Sequence, residues 1–226
     1  AGRKEDLFRI RIDAVHTLHR LLHAKRDPAA AGATAAPTAA AAEVPAAEDP
    51  AAAPADAPVI EGLTFTEESP LKYATVFRLF RYEGGYTLIR IDNGGDFLVV
   101  PEGAAVPAKM DSSVTVLQQP LDKIYLAATS AMSLFAAVDA LDHIRLTGTR
   151  ESGWYIDAAV EAMQRGDIEF AGKYSEPDYE RLIDEECDLA IESTMIYHTP
   201  EVKEQLEKFG VPVLVERSSY ESGPLA

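Results

Sequence analysis

Short apolar runs alternate with amphipathic stretches along the second half of the chain. Residues 114–118, 124–128, 144–146, 168–170, 188–192 and 211–215 read as strands. The segments between several of them recur at helical spacing. The spacing predicts a helix over 129–141, with Leu134, Phe135, Val138 and Leu141 on its apolar face and Thr129 or Ser130 as its cap. A second covers 154–165, with Ile156, Val160 and Met163 inward and Gly166 just past its end. A third opens at Asp178, Tyr179 and Glu180 and runs to about residue 186. A fourth, over 201–209, starts behind Pro200 and stops at Gly210. Strands alternating with helices imply a parallel sheet covered on both faces.

The pattern upstream is different. Residues 74–82 and 86–91 are β-rich runs joined by Glu83-Gly84-Gly85, which reads as a hairpin. Asn93-Gly94-Gly95 is a second turn, and residues 96–100 form a third strand ended by Pro101. The fold class is therefore α/β: a parallel sheet flanked by helices, with an antiparallel hairpin at the start. The domain is expected to span 59–226. Residues 28–58 are mostly Ala and Pro, have almost nothing large to bury, and read as a disordered tether. Residues 1–27 have helical periodicity and form an amphipathic leader.

Charge narrows the function classes. The leader carries seven Lys/Arg against four Asp/Glu, whereas the remainder holds 14 basic and 33 acidic residues. So acidic a surface argues against nucleic-acid binding, which needs clustered Lys/Arg. The single cysteine, Cys187, excludes an intramolecular disulfide and a cysteine zinc site. His16, His19 and His23 fall near one helical face, but a solvated polar face explains them better than a metal site without a fourth ligand. No metal site and no cofactor is expected.

In parallel sheets ligands sit at the carboxyl ends of the strands. That places Ser193, Thr194, Met195 and Tyr197 at the predicted ligand edge. Ser130 lies between a strand and a helix start, where an N-cap explains it as well as an anion contact does. Trp154 either packs or lines a cleft. Lys173 and Tyr174 belong to a loop at the same edge, where aromatic residues are more often exposed for binding. The acids between 178 and 188 read as a solvated helix entrance rather than a catalytic pair. Strand 188–191 carries no acid/base set, and no P-loop, Gly-x-Ser-x-Gly or His-Glu-x-x-His motif occurs. No catalytic residue is expected, and no pocket carboxylate or histidine with a strongly shifted pKa.

The order YEGGYTLIRI, DFLVVPEG, VTVLQQPLDKIYLAATSAMSLFAAVDALD, AGKYSEPDYERLIDEECDLAIESTMI and LEKFGVPVLVERSSYE resembles the substrate-binding proteins of bacterial ABC importers for iron–siderophore complexes and cobalamin. The resemblance covers about residues 70–224 and only the amino-terminal lobe of that two-lobed fold. It implies a ligand held in a cleft lined by Ser130, Trp154, Lys173, Tyr174, Ser193, Thr194, Met195 and Tyr197. It implies that Glu180 docks onto arginines of a membrane permease. Cys187 stands where many members have proline. The family also implies an export signal and a lipid anchor upstream of the tether, hence an extracytoplasmic, membrane-tethered location.

The expectation is a monomeric, non-enzymatic receptor lobe that captures a ferric siderophore or related iron complex and delivers it to an ABC permease. If that complex is anionic, Lys173 supplies local positive charge. The same fold binding cobalamin, haem or a bare metal ion is the first alternative. A cytoplasmic α/β enzyme domain is the second, and an isolated interaction module the third.

Overall fold

A computed structural model describes residues 56–222. The expectations for residues 1–27 and for most of the tether lie outside them. Asp56–Pro58, assigned to the tether from sequence, belong to the folded part: Asp56 pairs with Arg78, and the Pro58 carbonyl accepts the Tyr82 hydroxyl at 2.6 Å.

Two five-stranded sheets make up the fold. The first takes strands in chain order: β1 (Phe65–Glu68), β2 (Phe77–Tyr82), β3 (Thr87–Ile91), β4 (Gly95–Val100) and β5 (Val114–Gln118). Its pairings are antiparallel except β4 with β5. The predicted hairpin is β2–β3, turned by Glu83–Gly85. Residues 114–118, expected to open the βα pattern, instead close this first sheet as its one parallel edge. The crossover 101–113 contains no helix, so a run called buried and parallel from sequence could belong to either sheet.

The second sheet is all parallel. It comprises β6 (Ile124–Leu126), β7 (Ile144–Thr147), β8 (Glu169–Phe170), β11 (Leu189–Glu192) and β12 (Val213–Val215), in the order β12-β11-β6-β7-β8. The helices are α1 (Thr129–Ala137), α2 (Asp157–Arg165), α3 (Tyr179–Asp184) and α4 (Pro200–Lys208). Helix α1 is capped by neither predicted hydroxyl: Ala128 occupies the N-cap without a side-chain bond, and Thr129 and Ser130 form the first turn. Helix α2 starts three residues later than its periodicity suggests, because Glu151–Gly153 form a 3-10 turn and Ile156 is extended. Gly166 ends it in the left-handed conformation that a residue without Cβ adopts freely.

Burial explains the alternation. One face of the first sheet (Phe97, Val99, Leu117) and one face of the second (Ile124, Leu126, Ile191) share a core with α1 and α2. The opposite face of the second sheet (Tyr125, Ala190, Val213, Val215) packs on Leu182 of α3 and Val202 and Leu206 of α4. Strands buried on both faces need continuous apolar runs, and β6 (Ile-Tyr-Leu) is one. Each fully buried aliphatic side chain contributes about 1.5–3 kcal/mol.

Candidate functional site

After β6 the chain lays down β7 and β8 on one side, then returns to add β11 and β12 on the other. The direction of winding therefore reverses between β6 and β11. At such a point the two carboxyl-end loops diverge and leave a crevice. Both Ala127 and Ala128 amides donate to the Ile191 carbonyl at 3.0 Å, which pins the loop after β6 against the end of β11.

Four further loops arrive at the same edge. After β7, Gly148, Thr149 and Arg150 lead to Trp154. After β8 comes a hairpin of β9 (Gly172–Lys173) and β10 (Glu176–Pro177). Gly172 has a φ of +80°, and a Cβ there would collide with the backbone of Glu176 and Pro177, so only glycine lets the hairpin close. After β11, Ser193 accepts from the Met195 amide and starts a 3-10 turn, Thr194–His198. After β12, Arg217 lies over the Tyr220 ring at 4.2 Å.

The predicted residues divide by role. Ser193, Thr194, Met195 and Tyr197 do share the edge; Met195 and Tyr197 are exposed, and Tyr197 also donates its hydroxyl to the Asn93 carbonyl at 3.2 Å, joining the two sheets. Thr194 accepts a long contact from Tyr220, 3.4 Å. Ser130 is exposed, and its hydroxyl donates to Glu216 at 2.6 Å; Glu216 in turn accepts from Ser218. Trp154 is buried in the core, its indole N–H on the Thr149 carbonyl at 3.2 Å, while its neighbour Tyr155 is almost fully exposed. Tyr174 is half-buried at the tip of the β9–β10 hairpin, and Lys173 is exposed with Glu176 at 3.8 Å. Glu180 is exposed in the first turn of α3, whose N-cap is Asp178, bonded to the Arg181 amide. Cys187 is buried against the α3–α4 side, and burial pushes its thiol up to about 12, so it is unreactive.

A cavity of about 720 Å³ opens between the loop after β7 and the hairpin after β8. Arg150, Phe170 and Lys173 line it, with Glu176 and Asp178 at its far wall. The Arg150 guanidinium lies over the Phe170 ring at 4.2 Å, which orients it without a carboxylate partner. Among the described residues no group of three or more His, Cys, Asp or Glu is placed to hold a metal ion. No described helix is long and apolar enough to cross a membrane. Searches of protein families and of curated proteins found no match to this chain.

Sequence reasoning missed several edge residues. Arg150 lies in a loop where no motif or spacing marks it. Glu216, Arg217 and Tyr220 lie beyond the last predicted strand, yet a parallel sheet brings that loop beside Ser193. Glu221 anchors the edge to the first sheet: its carboxylate accepts from the Thr75 and Val76 amides and the Thr75 hydroxyl, all at 2.9 Å. The largest omission is Glu192. The expectation concerned pocket carboxylates and did not consider the core: Glu192, outside the cavity lining, has no solvent exposure, and burial pushes its carboxyl up to about 8. The signal was present in Leu-Ala-Ile-Glu: an acid in phase with Ala190 must point into the α3–α4 layer.

Proposed function

We propose that this chain is the amino-terminal lobe of an ABC-importer receptor that captures a ferric siderophore or a related iron complex and delivers it to a membrane permease. The observation that carries this reading is the gathering of a cavity and exposed aromatic groups at one end of the parallel sheet. Arg150, held over the Phe170 ring, gives the cavity a cation without a carboxylate partner among the described residues, while Lys173 sits 3.8 Å from Glu176, in a chain whose net charge is −16. Met195, Tyr197 and Tyr220 add exposed apolar and aromatic surface along the same edge. A chelated metal presents its organic shell, so cations and aromatic faces suit it without any protein ligand to iron.

The protein acts by binding. Glu180, exposed at the start of α3, serves as the acid that meets permease arginines. The location is extracytoplasmic, with the stretch before residue 56 as a tether to the membrane. Of the rivals, an enzyme is favoured by one observation, the shifted pKa of Glu192. Its carboxyl has no exposed surface and so does not reach a molecule in the cavity.

Trp154, the one tryptophan in the chain, reports on binding because its indole holds the carbonyl of Thr149, a cavity residue. The test is a fluorescence titration with ferric tris-catecholate and tris-hydroxamate siderophores, cobalamin and haem. A change in emission with an anionic ferric complex, weakened in R150A and K173A, supports the reading. A response to cobalamin or haem with none to any siderophore overturns it.

A further inference from the structure

Glu192 is the last residue of β11 and stands at the switch point, beside the loop that follows β6. It pairs in register with Val215, and its carbonyl accepts the Glu216 amide at 2.8 Å, so its backbone is fixed. Ala190 pairs with Tyr125, so Ala190, Glu192 and Tyr125 point to the same face of the sheet. That face is the apolar layer of Ile196, Val202 and Val215. Neither carboxyl oxygen has a hydrogen-bond partner among the described residues, and the side chain has no exposed surface.

An ionised carboxylate in such a place is costly unless it is paired. The titratable groups facing Glu192 are Tyr125 from β6 and Tyr179 from α3. Glu201 of α4 acts on Tyr179, and Cys187 acts on Tyr125. On the β12 side Glu216 is engaged with Ser130 and Ser218, and His198, on the segment itself, is exposed. Among the described residues no lysine, arginine or histidine acts on Glu192; burial sets its protonation.

The segment that follows Glu192 directly, 193–198, packs its fully buried Ile196 into the same layer. This segment is one 3-10 turn. Besides the buried Ile196 side chain, three side-chain hydrogen bonds tie it to its surroundings: Tyr197 to Asn93 at 3.2 Å, Tyr220 to Thr194 at 3.4 Å and Thr199 to the Ile196 carbonyl at 3.4 Å. Sheet and helix α4 on either side are held by regular backbone bonding. The cheapest way to bring water to an ionised Glu192 is to lift this turn.

We propose that Glu192 is an uncharged acid in the closed lobe and that its ionisation opens residues 193–198, making the carboxyl edge of the sheet pH-responsive. The inference goes beyond the receptor reading and holds whether or not the edge binds an iron complex. The open form, with a solvated carboxyl, titrates near 4.5, and the closed form near 8. Opening is therefore favoured as pH rises between those values and levels off above the upper one.

The test uses the protein without ligand. Side-chain carboxyl NMR of the wild type, assigned by the signal missing in E192Q, follows the titration directly. Amide hydrogen exchange, corrected for its intrinsic pH dependence, follows the opening of residues 193–198. The expected result is a glutamic acid signal that remains protonated at neutral pH. With it, protection at residues 193–198 falls about tenfold per pH unit up to about pH 8 and then flattens. In E192Q the protection is flat across the range. Should E192Q not fold, a different glutamate substitution pattern still assigns the signal by elimination, and the wild-type titration decides alone. A Glu192 signal moving in the ordinary carboxylate range overturns the proposal, as does an E192Q exchange profile equal to the wild type's.

Discussion

The two ends of the parallel sheet handle charge in opposite ways. At the amino end nearly every charge has a partner. Arg145 of β7 forks onto Glu185 through two 2.8 Å bonds, reaches Glu169 at 2.8 Å, and donates to the Gly166 carbonyl at 2.9 Å. Arg181 also pairs with Glu169, and Asp188 accepts the Asp122 and Lys123 amides at 2.9 Å through one oxygen, its other oxygen being the exception without a hydrogen-bond partner among the described residues. At the carboxyl end, among the described residues, Glu192 has no hydrogen-bond partner, the Nε of Arg217 has none, and Arg150 faces a ring instead of a carboxylate. One end is closed by its own side chains. The other commits Ser130 to Glu216 and Lys173 to Glu176 but leaves Arg150 and the Arg217 Nε without such partners, and uncommitted groups are what recognition requires.

If this contrast is right, substitutions at the two ends differ in what they change, and the largest effect belongs to Glu192. Its uncharged form contributes stability that is fully present below about pH 4.5 and is lost as pH rises to about 8. That interval corresponds to roughly 5 kcal/mol for a fully closed site, an upper limit because the turn that follows it can open. E192Q is expected to lose this slope and to exceed the wild type in stability at alkaline pH, measured by urea denaturation at a series of pH values. Next comes R145A. Removing charged hydrogen bonds at the paired end should cost roughly 1.5–3 kcal/mol in the same denaturation experiment, with no effect on ligand binding. E221A should cost about 1 kcal/mol, because the Thr75 and Val76 amides lose their acceptor. R150A should change stability by less than about 0.5 kcal/mol. It should nonetheless weaken binding of an anionic ferric complex about tenfold, as read by Trp154 emission. Equal stability losses for R145A and R150A would erase the contrast.

Much of the fold was legible because periodicity and burial coincide. The hairpin turned at Gly84-Gly85, the strand Leu189–Glu192 and the helix started by Pro200 all follow from local pattern. Sheet membership was not legible: residues 114–118 look like any buried strand, and only long-range pairing with β4 assigns them to the first sheet. The edge was legible in outline, since alternation alone predicts where carboxyl-end loops gather. Its membership was not. Trp154 is held inward by a bond to Thr149, and Tyr220 and Arg217 come from a loop that no spacing marks. Glu192 was hidden by being counted as the polar end of a strand, when its phase with Ala190 made it part of the core.

The claim that the carboxyl end is the ligand face can be tested directly by NMR on the isotope-labelled protein. Gallium(III) replaces iron in a tris-catecholate siderophore, which keeps charge and shape without paramagnetic broadening. The account predicts amide shift changes at residues 148–150, 172–175, 193–197 and 217–220, and none around Arg145, Glu169 and Glu185. Changes centred on the paired amino end, or none at either end, would contradict it.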